Sequence, residues 1–196
     1  MDPDYERPFR YPVIYHTGII WNMSNDKILK TIEALKHLSN PCQEKLELSY
    51  GAFEDIIVDL TTSEEYREEE DPLLFKRSIE ELKDVFKHLF EAYLLQRSIS
   101  MTSDNIDTLR DRFYKDMEHR RGITPPKFIS QAYPPITSLV RLVRNCHHEA
   151  LGTVDHVTGK RGFGNVYTLC STLTLAIYAY IEILETWEET ERTNPG

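Results

Sequence analysis

The sequence lacks the features that mark membrane and secreted proteins. No apolar run approaches the ~20 residues that a membrane-spanning helix needs, and the N-terminus has neither the basic start nor the apolar middle of a secretory signal. Cysteine is scarce: Cys42, Cys146 and Cys170 are odd in number and far apart, which argues against a disulfide framework or a zinc knuckle. We therefore expect a cytoplasmic protein with reduced thiols and no membrane contact.

Glycine is scarce too, with 8 of 196 residues, and the long segments rich in Leu, Glu, Lys and Arg favour helix over sheet. The chain is long enough for one sizeable hydrophobic core. With 40% hydrophobic and 28% charged residues, it has the composition of a soluble globular protein.

An excess of positive charge is also absent. The chain has 23 Lys and Arg against 32 Asp and Glu, a formal net charge of −9, which weighs against constitutive tight binding to a long nucleic acid. The charge is uneven, however. Residues 63–71 are strongly acidic, whereas residues 141–161 contain four Arg and Lys, three His and only two acids. A locally basic segment of this kind suits a short or single phosphate target.

Apolar residues recur at helical spacing along most of the chain, and the predicted helices cover about 24–38, 41–61, 73–98, 104–120, 136–150 and 165–190. Ser24 is predicted to be the N-cap of the first. His88, in the third, is interpreted as a structural residue. Prolines at 3, 8 and 12 disfavour an earlier helix, so residues 1–22 are interpreted as an irregular arm whose aromatic side chains pack on the body.

These patterns predict an all-α fold: an up-and-down helical bundle of about five to six helices with an irregular N-terminal arm. We find no internal repeat and no break in composition within residues 23–196, which are expected to form a single domain. The last helix has an unusually wide apolar stripe, because Leu175, Tyr178 and Ile181 extend it on one side. That helix is expected to be central in the bundle or to meet a second copy of the chain in a homodimer.

The segment from Leu139 to Ala150 gathers two arginines, an asparagine and two histidines. Advancing each residue by about 100° sorts the predicted helix into two faces. The apolar face contains Ile136, Leu139, Val140, Leu142, Val143, Cys146 and Ala150, with His147 at its edge. The opposite face is a polar stripe of Thr137, Arg141, Arg144, Asn145 and His148.

The polar stripe contains no acidic side chain, and its two guanidinium groups repel one another mildly. They therefore need an anion from elsewhere, either carboxylates of a neighbouring helix or a phosphate. His148 can both accept and donate a proton near neutral pH. The neighbouring arginines would lower its pKa and stabilise an oxyanion or a pentacoordinate phosphate.

An all-α domain of this size, with Arg144-Asn145 followed shortly by His148 near the end of the penultimate long helix, resembles the HEPN superfamily. The motif of that superfamily is an Arg, four to six residues and a His, often with a polar residue directly after the Arg. Arg144 has the preferred neighbour, but only three residues separate it from His148. Six residues separate Arg141 from His148, and Arg141 is followed by Leu142. The resemblance covers about residues 125–190.

The resemblance implies RNA or nucleotide binding, or metal-independent RNA cleavage, with no cofactor. His148 would move the proton of the ribose 2′-hydroxyl or of the leaving 5′-oxygen, and Arg141, assisted by Arg144 and Asn145, would stabilise the scissile phosphate. It also implies a homodimer, through the C-terminal helix in this chain, and a role in a defence or toxin–antitoxin system with a cognate antitoxin or nucleotidyltransferase. Two basic residues in the glycine-flanked loop that follows are candidates for RNA backbone contacts or form only a mobile basic loop: Lys160 and Arg161.

Two other hypotheses stay open. A metal-dependent helical phosphohydrolase would use ligands among His119, His147-His148-Glu149 and Asp155-His156, but adjacent histidines on one helix diverge by about 100° and no His-Glu-x-x-His motif occurs. A non-catalytic helical partner or adaptor protein would fit the net acidity and the short motif spacing.

Overall fold

The computed structural model describes residues 7–62, 72–101, 105–121 and 166–193. These ranges contain five helices and no strand: α1 (Arg7–Ala34), α2 (Asn40–Thr62), α3 (Pro72–Gln96), α4 (Ile106–Arg121) and α5 (Val166–Thr193). The protein is an all-α helical bundle, as the sequence predicts.

Contacts between helices define an up-and-down arrangement. Successive helices run antiparallel: α2 packs along α1, α3 along α2, and α4 along α3. The last helix lies parallel to both α3 and α1. Tyr180 and Trp187 of α5 contact the rings of Phe86 and Tyr93 in the same order along α3, and Lys27 of α1 pairs with Glu185 at 2.8 Å.

Aromatic side chains join the helices at the centre of the bundle. Phe53 of α2 lies 5.1 Å from the ring of Trp21 in α1 and 5.3 Å from that of Tyr180 in α5. The Tyr180 hydroxyl, fully buried, forms a hydrogen bond of 3.1 Å with the hydroxyl of Ser49, which in turn donates to the carbonyl oxygen of Val85. Burial raises the pKa of Tyr180. One core therefore connects α1, α2, α3 and α5.

The predicted bounds of the second, third, fourth and last helices agree with α2, α3, α4 and α5 to within a few residues. For residues 7–22 the interpretation as an irregular arm was wrong, and so was the assignment of Ser24 as an N-cap, because α1 begins at Arg7 and continues through Ser24. Pro8 lies in the first turn, where a backbone N–H has no intrahelical acceptor. Pro12 removes one backbone hydrogen bond, and the burial of Trp21 and its neighbours outweighs that loss.

The same substitution is expected to change stability differently at two glycines inside helices. A methyl group at Gly51 of α2 would meet nothing within 4 Å, whereas one at Gly18 of α1 would lie 3.1 Å from Cγ2 of Thr61. Alanine is favoured over glycine in a helix by about 0.5–1 kcal/mol. We expect Gly51→Ala to raise the free energy of unfolding by about that amount in urea denaturation. Gly18→Ala should gain less or lose stability, and an equal gain from both would contradict this account of the α1–α2 contact.

Candidate functional site

The predicted phosphate and proton-transfer site lies outside the described residues. This applies to Arg141, Arg144, Asn145 and His148 and also to the basic pair Lys160 and Arg161. These assignments therefore remain predictions from the sequence. The described residues contain a different concentration of charge, in a groove between α2 and α3.

The groove encloses about 460 Å³ and is lined almost entirely by ionisable side chains. The α2 wall consists of Ala52, Asp55 and Asp59, and the α3 wall consists of Arg77, Glu81, Asp84 and His88. Arg77 lies 2.8 Å from Glu81 and 3.8 Å from Asp59. The side chains of Arg77 and Asp59 are largely exposed, and that of Glu81 is partly exposed. Four carboxylates against one guanidinium make the groove acidic, so it does not favour a phosphate.

Metal binding has no support within the described ranges. They contain no group of three or more His, Cys, Asp or Glu side chains arranged to hold a metal ion. Of the histidines behind the metal-dependent hypothesis, only His119 is described, and it is exposed on α4.

At one end of the groove the buried carboxylate of Glu91, in α3, forms an ion pair with Lys45 of α2. Glu91 is 7% exposed, and its Oε2 lies 2.7 Å from Nζ of Lys45 and 3.2 Å from Nδ1 of His88. Lys87 lies 3.9 Å from its Oε1. Burial raises the pKa of Glu91, but the hydrogen bonds from Lys45 and His88 and the charges of both lysines outweigh it and hold the pKa below its ordinary value. His88 thus has a structural contact, as interpreted from the sequence.

The lowered pKa of Glu91 predicts a pH-dependent contribution to stability. Because the folded state favours the carboxylate, the contribution is complete above the ordinary value of 4.5 and is lost as pH falls through the folded-state pKa. We expect Glu91→Gln to destabilise the protein at neutral pH and the difference from wild type to shrink below pH 4.5. Denaturation at a series of pH values checks this, with the exposed Glu47→Gln of α2 as the control. A difference that is constant with pH would contradict it.

The described cysteines are not nucleophiles. Cys42 and Cys170 are free and buried. Burial raises the pKa of the Cys42 thiol to about 12, with a further contribution from Glu191, and raises that of Cys170 to about 11. Both are therefore protonated and shielded, as expected for small core residues. Cys146 lies outside the described residues.

The groove was not predicted, although part of its signal is present in the sequence. Arg77, Glu81, Asp84 and His88 follow one another at intervals of four, three and four residues, which places them on one face of α3. Glu91, three residues after His88, has the spacing of a side-chain pair. The spacing within α3 does not predict the second wall of the groove, because Asp55 and Asp59 belong to a different helix, α2.

One described helix has the length and composition of a membrane span. The segment Leu169–Thr193 of α5 has a window of mean hydropathy 1.2, and 61% of that window is buried inside the bundle. A core helix of a helical bundle passes the same test, so this property of α5 is weak evidence for a membrane. Comparison of the chain with protein-family models, curated proteins and solved structures finds no match.

Proposed function

We propose that this protein is a HEPN-like helical-bundle domain that binds RNA or a nucleotide through residues 136–161 and cleaves RNA without a metal ion. The cellular setting proposed with it is cytoplasmic, in a defence or toxin–antitoxin system with a cognate antitoxin or nucleotidyltransferase. The observation that carries the proposal is the sorting of Arg141, Arg144, Asn145 and His148 onto one acid-free face of a predicted helix. A guanidinium group can donate two parallel hydrogen bonds to the oxygens of one phosphate. An imidazole beside it can accept or donate a proton during the reaction.

The fold and the distribution of charge support this proposal. The protein is an all-α bundle, the class of fold that the resemblance implies. The groove between α2 and α3 is acidic, so basic groups for a polyanion must come from another surface. Residues 141–161 contain four of the chain's 23 Lys and Arg and only two acids.

Incubation of a mixed RNA pool with the full chain, in the presence of a chelator, tests the proposal. Cleavage that withstands the chelator supports the enzyme. Binding without cleavage reduces the proposal to an RNA-binding domain. The absence of both binding and cleavage, over a range of RNAs and nucleotides, would overturn the proposal.

A non-catalytic partner protein is the second candidate, and a specific observation favours it. Tyr15 and Met23 of α1 are 71% and 78% exposed, and Tyr178 of α5 is 56% exposed. Large apolar side chains left in solvent on two adjacent helices are typical of a protein contact. If the chain is an adaptor, substitutions in this patch would abolish its activity in cells, whereas His148→Ala would not.

A further inference from the structure

The outward surface of α1 and α5 carries an apolar patch. It consists of three exposed residues four apart on α1 and two exposed residues three apart on α5: Tyr15, Ile19, Met23, Leu175 and Tyr178. We call these five residues the α1–α5 patch. Because large apolar side chains gain free energy by leaving water, a patch of this kind is typical of a surface that binds a partner.

Two contacts between α1 and α5 establish which residues of these parallel helices lie at the same height. Thr17 forms a side-chain hydrogen bond with Cys170. Ten residues further along α1, Nζ of Lys27 lies 2.8 Å from Oε1 of Glu185. Between these contacts each helix rises about 1.5 Å per residue. The apolar residues of the two helices are therefore level with one another and flank a single seam between α1 and α5.

Two carboxylates lie at one end of the α1–α5 patch. On a helical projection, Asp26 falls within the arc that the patch occupies on α1, and Glu182 falls within the arc that it occupies on α5. Both lie between the patch and the ion pair of Lys27 with Glu185, at nearly the same height. The surface is therefore apolar for two turns and then acidic on both helices.

Neither carboxylate has a cation among the described residues. Lys27, which follows Asp26 in the chain, pairs with Glu185, and neither Asp26 nor Glu182 forms an ion pair within the described ranges. Lys30, one turn beyond Asp26, is exposed to solvent. Burial and the charge of Glu185 raise the pKa of Glu182. A cation supplied by another molecule would therefore stabilise the two carboxylates.

We propose that the α1–α5 patch and the two carboxylates bind an amphipathic helix of a partner protein. That helix has apolar side chains at i, i+3 or i+4, and i+7, and a lysine or arginine about one turn beyond them. Its apolar face lies along the seam between α1 and α5, as helices do in apolar grooves, and its basic group contacts Asp26 and Glu182. From Tyr15 to Asp26 the surface is about 17 Å long, which matches about three turns of helix.

Two other occupants would not supply the missing cation. A second copy related by a two-fold axis along the helices would place Asp26 of one copy against Glu182 of the other, which brings like charges together. An axis perpendicular to the helices would place both carboxylates beside apolar side chains. A lipid bilayer would have to accept two unpaired carboxylates at the edge of the patch, which is unfavourable in an apolar medium.

Selection from a displayed library of random peptides, with the full chain as target, tests the proposal. We expect enriched peptides with apolar residues at helical spacing and a basic residue about one turn away. A synthetic peptide with an enriched sequence should bind Tyr178→Ser at least about tenfold more weakly than wild type in fluorescence anisotropy. The matched control is Leu48→Ser on α2, where the leucine is 54% exposed and lies outside the α1–α5 patch. It should bind as wild type does, and circular dichroism confirms that each variant is folded.

Charge reversal tests the recognition of the basic group. Asp26→Lys with Glu182→Lys should weaken binding of the same peptide at least about tenfold. A peptide whose basic residue is replaced by glutamate should prefer this double variant over wild type.

Several results would overturn the proposal. Three of them concern the peptides: no enrichment of helical spacing, enrichment of acidic peptides, or equal affinity for wild type and Tyr178→Ser. Two others would identify a different occupant. One is a dimer of the peptide-free chain that Tyr178→Ser dissociates, and the other is binding to vesicles of phosphatidylcholine and phosphatidylserine that Tyr178→Ser abolishes.

The inference rests on the second candidate function, a protein contact through this surface, and not on RNA cleavage. The two fail separately. If patch substitutions abolish activity in cells while no basic helical peptide is selected, the partner function stands and the helical occupant is overturned. If selected peptides bind as expected while patch substitutions leave activity in cells unchanged, the docking site stands and the partner function falls.

Discussion

Arg97→Met is expected to destabilise the protein by about 3–5 kcal/mol, because it leaves a buried carboxylate without its cation. The side chains of Arg97 and Glu191 are only 5% and 7% exposed, and the guanidinium donates directly to the carboxylate. The indole of Trp187 donates to the same oxygen at 3.0 Å, and the Arg97 guanidinium carbon lies 5.7 Å from the centre of the Tyr93 ring. This network joins the C-terminal ends of α3 and α5.

Arg77, within α3, provides the control. Arg77 also forms ion pairs, but its side chain is 65% exposed, and exposed pairs contribute about 0–1 kcal/mol. Arg77→Met should therefore be nearly neutral in urea denaturation. The double variant Arg97→Met with Glu191→Leu should recover part of the loss, since it removes both buried charges. Equal effects of Arg97→Met and Arg77→Met would show that burial does not set the strength of these pairs.

His148→Ala is expected to lower the rate of RNA cleavage by about 10²–10⁴-fold, the usual contribution of a general acid or base. The matched control is His147→Ala, because the helical projection places His147 beside the apolar face and away from the arginines. It should keep the cleavage rate close to that of wild type.

Arg141→Ala should lower the rate by about 10²–10³-fold, as expected for the loss of a donor to a developing charge. Comparable losses in His147→Ala and His148→Ala would contradict the separation of the two histidines onto different faces of the helix.

Local sequence patterns predicted most of the helices but not the first half of α1. Leu82, Leu89 and Tyr93 recur at helical spacing and are all buried in α3, where packing and periodicity agree. In α1, prolines at 8 and 12 indicated an irregular arm, and the burial of Trp21 against Phe53, a contact between distant parts of the chain, outweighed that local signal.

The exposed and charged surfaces were predicted only in part. Leu175 and Tyr178 were expected to widen the apolar stripe of the last helix, and both are exposed, while Ile181 packs partly against the core. Their neighbours Tyr15 and Ile19 on α1 could not be predicted, because residues 1–22 were assigned to an irregular arm. The groove between α2 and α3 depends on the pairing of two helices, which periodicity within one helix does not determine.

The chemistry of the RNA ends tests the proposed function most directly. Wild-type protein incubated with RNA and a chelator should leave 5′ fragments that end in a 2′,3′-cyclic phosphate, because the ribose 2′-hydroxyl is the proposed nucleophile. His148→Ala, folded as judged by circular dichroism, should leave none. Uncut RNA, or fragments that appear only with added metal and carry free 3′-hydroxyl ends, would contradict metal-independent cleavage by the Arg141–His148 pair.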